Sequence, residues 1–89
     1  MIRVVLTSNL QKYYPERDFE IEAHNLLDLL VKMDKTRPLF SAYIIEDDKA
    51  VRRHVNIFVN GVVLKDKSRL TDTLKDGTTI HIMQALSGG

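Results

Sequence analysis

Only one stretch of this 89-residue chain carries a clear helical period, and that fact bounds what it can build. Leu26, Leu29, Leu30 and Met33 stand at i, i+3, i+4 and i+7, one apolar stripe. Asn25 suits an N-cap, Asp28 places a negative charge in the first turn, and Lys32 and Lys35 lie near the far end. Pro38 stops the helix, which spans about residues 25–36. Around it the apolar residues alternate. Ile2, Val4 and Leu6 share one face, with Arg3, Val5 and Thr7 on the other. Phe19, Ile21 and Ala23 alternate with Asp18, Glu20 and Glu22, a second strand paired with the first across a loop from Ser8 to Arg17. Val55, Ile57 and Val59 alternate with Asn56, Phe58 and Asn60. Asn60-Gly61 predicts a type I′ turn into Val62-Val63-Leu64. Leu70 and Leu74 anchor a short turn or 3₁₀ segment. Asp76-Gly77 leads into a last strand, Thr78 to Met83, with Ile80 and Ile82 inward. Residues 39–53 are less regular and predict a turn at Asp47-Asp48 between short strands. One helix covering one face of a small mixed sheet is a two-layer α+β fold.

Composition narrows the chemistry. The length fits one domain. Cysteine is absent, which removes disulfides, thiolate metal sites and thiol catalysis together. Thirteen basic and twelve acidic side chains leave a net charge of +1, so no electrostatic argument points to nucleic acid or an anionic membrane. No apolar run approaches a membrane span, and the N-terminal apolar residues read as a strand rather than a signal segment. A cytoplasmic protein is the expectation.

No catalytic constellation emerges. His24, His54 and His81 lack metal-ligand spacing, so no metal site is expected; His54 is expected to pack or hydrogen-bond at the start of its strand. Glu20 and Glu22 share a strand face without a cleft to work in. Tyr13 and Tyr14 cover the first loop, and Arg52-Arg53 with Lys49 reads as a solvated strand edge. Gly61 and Gly77 are turn residues, not a phosphate loop.

What stands out is Gly88-Gly89. Two residues without Cβ put a backbone carboxylate on a thin tether able to enter a narrow channel. On that reading residues 1–84 are the folded domain, 85–89 a flexible tail, and the reactive group is the carboxylate of Gly89.

Three segments resemble the ubiquitin-like β-grasp family, and within it the MoaD/ThiS sulfur carriers. They are His54-Val55-Asn56-Ile57-Phe58-Val59-Asn60-Gly61, the run Leu74-Lys75-Asp76-Gly77-Thr78-Thr79-Ile80-His81-Ile82, and the terminal Gly88-Gly89. The chain departs from many such carriers in having Gln84-Ala85 where prolines are common, and Thr78 where an acidic residue is common. The resemblance implies a mixed sheet of four to five strands packed on one main helix, monomeric when free. It implies no enzyme activity and no bound cofactor. Instead an E1-like adenylating enzyme would consume ATP and Mg²⁺ to activate Gly89. A sulfurtransferase or other donor would supply sulfur, and a downstream enzyme would accept it from a C-terminal thiocarboxylate. Gly88, Ser87 and Leu86 would form the inserted tail. The product pathway implied is molybdopterin, thiamine, cysteine or tRNA thiolation, with the His-Val-Asn-Ile strand leaning toward cysteine synthesis. The alternatives are a protein modifier joined to lysines through Gly89, and a binding module whose tail is irrelevant. Strand alternation turns Phe58, His81 and Met83 outward, a patch resembling the recognition face of ubiquitin-like proteins; the other reading packs Phe58 under the loop around Tyr13-Tyr14.

Overall fold

A computed structural model describes residues 1–47 and 49–84. In chain order the elements are β1 (Ile2–Leu6), α1 (Ser8–Gln11), β2 (Asp18–Ile21), α2 (Leu26–Thr36), a 3₁₀ turn (Phe40–Tyr43), β3 (Ile45–Glu46), β4 (Ala50–Val51), β5 (Val55–Val59), β6 (Val62–Val63) and β7 (Thr79–Gln84). Five strands form one mixed sheet in the order β2-β1-β7-β5-β6, and β3 and β4 form a separate two-stranded ribbon. The central contact is parallel: Val4 lies opposite Ile80 and Leu6 opposite Ile82. All other neighbours are antiparallel.

The helical stripe forms as its spacing requires. Asn25 caps α2 by accepting from the Asp28 N–H at 2.7 Å, and the Asp28 carboxylate reaches back to the His24 N–H at 2.9 Å. Arg37, before Pro38, is already extended and ends the helix. Leu26, Leu29, Leu30 and Met33 bury themselves against Ile2, Val4, Leu6, Ile57, Ile80 and Ile82, the inward faces of β1, β5 and β7. The core is thus a single apolar layer between helix and sheet. The β5–β6 hairpin closes through Asn60 at φ 50° and Gly61 at φ 84°, both positive as a type I′ turn demands. Asn60 Oδ1 also accepts from the Thr79 N–H at 2.8 Å, tying the turn to β7.

Two expectations need correction. The loop from Ser8 opens with the helical turn α1, seated by the buried Leu10. The last strand begins at Thr79 and runs to Gln84, because Thr78 is buried in the preceding turn with its hydroxyl donating to Lys75 O at 2.7 Å. Of the two readings given for the segment around Leu70 and Leu74, the turn holds and the 3₁₀ segment does not. This turn is stitched to the start of α2 by Leu27 N–H to Leu70 O (3.0 Å) and Leu74 N–H to His24 O (2.7 Å). In the irregular region the short strands flank a turn containing Asp47; Asp48 lies outside the described residues. No helix among the described residues is long and apolar enough to cross a membrane.

Candidate functional site

The sheet has α2 on one face only, and pairing register decides which outward side chains meet on the other. Val5 lies opposite both Asp18 and His81, and Phe58 opposite both His81 and Val63. One row therefore crosses all five strands: Asp18, Val5, His81, Phe58, Val63. Met83 lies two residues along β7 from His81 and opposite Asn56. Phe58, His81, Val5 and Val63 are half-buried, and Met83 is 38% exposed. Phe58, His81 and Met83 thus share one neighbourhood on the helix-free face. The loop tyrosines take other partners: Tyr13 stacks on Tyr43 at 4.4 Å, and Tyr14 stacks on Phe19 at 5.2 Å and meets Phe40 edge-on at 4.9 Å.

The row ends in charge on its β2 side. Arg3 clasps Asp18 with two bonds, Nε to Oδ1 at 2.9 Å and Nη2 to Oδ2 at 2.6 Å. That guanidinium holds the Asp18 carboxyl below the usual carboxylate range, assisted by Arg17 and His81. Both partners are about half exposed, so the pair fixes geometry more than it adds stability. Val5 and Val63 were not singled out from the sequence. Alternation had turned Val5 outward, but only the parallel β1–β7 pairing, between segments far apart in the chain, sets it beside His81.

His24 and His54 are exposed, and His54 neither packs nor hydrogen-bonds through its side chain among the described residues, contrary to expectation. No group of three or more histidine or acidic side chains placed to hold a metal occurs among the described residues. Leu86, Ser87, Gly88 and Gly89 lie outside the described residues. The chain reaches them from Gln84, which sits opposite Val55 at the end of β7, beside the face that carries Met83. On the α2 side, at the other end of β5, a groove of about 370 Å³ lies between the hairpin and the 69–74 segment, floored by Leu26, Val59, Leu64 and Leu74.

The sequence pattern of the ThiS family matches residues 7–89. No curated protein matches the sequence. Among solved structures the fold is similar to the Amycolatopsis orientalis BexX/CysO complex (TM-score 0.85, 21% identity, 100% of both chains). It is also similar to Mycobacterium tuberculosis CysO (0.81, 17%, 97% of this chain and 100% of that one). A third likeness is to small archaeal modifier protein 1 of Methanosarcina acetivorans (0.78, 23%, 99% and 95%). These likenesses establish the ubiquitin-like β-grasp fold.

Proposed function

This chain belongs to the ThiS family of ubiquitin-like sulfur carriers, and from that membership we propose that it carries sulfur as a thiocarboxylate on Gly89. The observation that supports this most directly is that the family match runs through residue 89 and so includes Gly88-Gly89. A free carboxylate is a poor electrophile. An E1-like enzyme would join the Gly89 carboxylate to the AMP portion of ATP, releasing pyrophosphate. Hydrosulfide would then attack the acyl carbon with AMP leaving, placing sulfur where a carboxylate oxygen had been; a persulfide donor would give an acyl disulfide first, and a thiol of the partner system would have to cleave its S–S bond to release the thiocarboxylate. No side chain of the protein would supply an acid, base or nucleophile to these steps; the Gly89 carboxylate is itself the nucleophile toward the α-phosphate, and the fold presents it. Gly88 provides clearance, and Ser87 and Leu86 lie in the channel. Fixing each tail residue there costs roughly 1–2 kcal/mol of backbone entropy. The body must supply the docking energy, and we assign that role to the face bearing Phe58, His81 and Met83, with an aromatic ring at its centre.

The test is the intact mass of the full chain after incubation with an adenylating enzyme, ATP, Mg²⁺ and a sulfur donor. The mass should rise by the difference between sulfur and oxygen, and deletion of Gly89 should abolish the rise. No shift with any activating enzyme of the source organism refutes the proposal. A ladder of lysine conjugates in cells expressing tagged chain, lost on the same deletion, would assign it instead to protein modification.

A further inference from the structure

The basic doublet Arg52-Arg53 has a more specific setting than a solvated strand edge. Residues 52–55 form a tight turn, closed by the Val55 N–H donating to Arg52 O at 3.0 Å. The Lys67 ammonium sits against this turn and donates to three of its carbonyl oxygens, those of Arg52 (3.2 Å), Arg53 (2.9 Å) and Val55 (2.6 Å). A lysine has three donors, and all are used. Bonds from a charged donor are about twice as strong as neutral ones, so the turn is clamped through its carbonyls. Arg52 is committed as well, its Nε donating to Ala42 O at 2.7 Å and its Nη1 lying 3.6 Å from Glu46. Arg53 and His54 are exposed, and neither side chain has an ion pair or hydrogen bond among the described residues. Arg3 and Arg69, by contrast, are paired with Asp18 and Asp72.

The location gives this turn, with Arg53 unpaired among the described residues, its meaning. Val55 is paired with Gln84, so His54 is one residue from the partner of the strand's last described position. Asn56, on the other side of Val55, lies opposite Met83 and joins the turn to the apolar row. A rigid cationic turn thus stands where the chain leaves β7, next to the face assigned to docking.

We propose that Arg53, with His54 as a hydrogen-bond donor beside it, docks against acidic side chains at the mouth of the activating enzyme's tail channel. The inference rests on the reading that residues 85–89 are threaded into such an enzyme. A carboxylate partner suits the planar guanidinium fork. A turn already clamped by Lys67 loses little freedom on binding. With thirteen basic and twelve acidic side chains, the chain has no net charge that would favour nucleic acid.

Adenylation of the full chain, followed by pyrophosphate release across a salt series, tests this. Arg53→Glu should raise the KM for the carrier at least about tenfold through like-charge contact, leave kcat and thermal midpoint unchanged, and flatten the salt dependence that wild type shows. Arg53→Gln should fall between the two. Lys75→Glu, a charge reversal before the opposite end of β7, should match wild type. If wild type is adenylated and Arg53→Glu shows the same KM and salt slope, the docking inference is overturned and the sulfur-carrier reading stands. If wild type is adenylated by none of the organism's activating enzymes, that reading falls and takes the proposed partner with it.

Discussion

Phe58 offers a way to separate what the sheet does for folding from what it does for docking. Its ring sits on the helix-free face with His81 and Val63 as direct cross-strand partners. Each such pair contributes about 0.2–1 kcal/mol, so Phe58→Ala should cost folding about 0.5–2 kcal/mol. A phenylalanine in a sealed core would cost about 3–5 kcal/mol. A domain of this size is stable by roughly 4–13 kcal/mol, so the variant stays folded in an assay at 25 °C and its kinetics report docking alone. If the ring anchors the activating enzyme, its truncation removes at least about 2 kcal/mol of binding, a rise in KM of roughly thirtyfold. Urea unfolding followed by circular dichroism gives the first quantity, provided the slope m is unchanged. Steady-state adenylation gives the second. A stability loss of 3 kcal/mol or more would place the ring in the core and refute the register argument. An unchanged KM would remove this face from the docking surface.

Other expectations are simpler. Phe40 is fully buried and meets Tyr14 edge-on, so Phe40→Ala should destabilise by about 3–5 kcal/mol in the same urea experiment; a loss under 1 kcal/mol would contradict its position. Asn25→Ala removes the acceptor for the Asp28 N–H and should cost about 1 kcal/mol, while Asn25→Ser should recover most of it. Asp18 is held below its ordinary range by Arg3, so the folded chain takes up that proton at lower pH than the unfolded chain. Its stabilisation is fully present above the unfolded value of about 4 and fades as pH falls through the folded one. Asp18→Asn should therefore flatten the acid limb of a stability–pH curve, and identical acid limbs would count against the Arg3 clasp.

What could be read from the sequence was what neighbouring residues decide together. The α2 stripe, the β1–β2 alternation and the Asn60-Gly61 turn are local patterns, and each appears where the pattern puts it. The parallel pairing of β1 with β7 has no local signal, since nothing near Val5 says that His81 will lie beside it. The outward direction of Phe58, His81 and Met83 was therefore legible, but their common row with Val5 and Val63 was not. The α1 turn escaped because its described residues bury only one apolar anchor, Leu10. Around Leu39 the chain does something its residue types disfavour: a leucine 76% exposed adopts φ 69°, where glycine or asparagine would be expected. The 3₁₀ turn that follows is held by Asp34, which accepts from the Ser41 N–H at 2.7 Å and its hydroxyl at 2.6 Å. His54 departs from expectation for a related reason. The group that shapes its turn is Lys67, more than ten residues away, and it grips the backbone, leaving the imidazole outside.

The placement of β7 has a consequence during synthesis. Among the described strands this one is made last, yet it fills the middle of the sheet and bonds to both β1 and β5. Before residues 79–84 emerge from the ribosome, β1–β2 and β5–β6 can exist only as separate hairpins with exposed apolar sides, and isolated hairpins are marginal in water. The two halves knit together only when the segment adjoining Gly88-Gly89 slots between them, a closure of high sequence separation and hence a late one. Assembly of the body and delivery of the end proposed to carry sulfur would therefore be coupled in time: an enzyme that requires the completed sheet as well as the tail would ignore nascent or misfolded copies without any separate proofreading device.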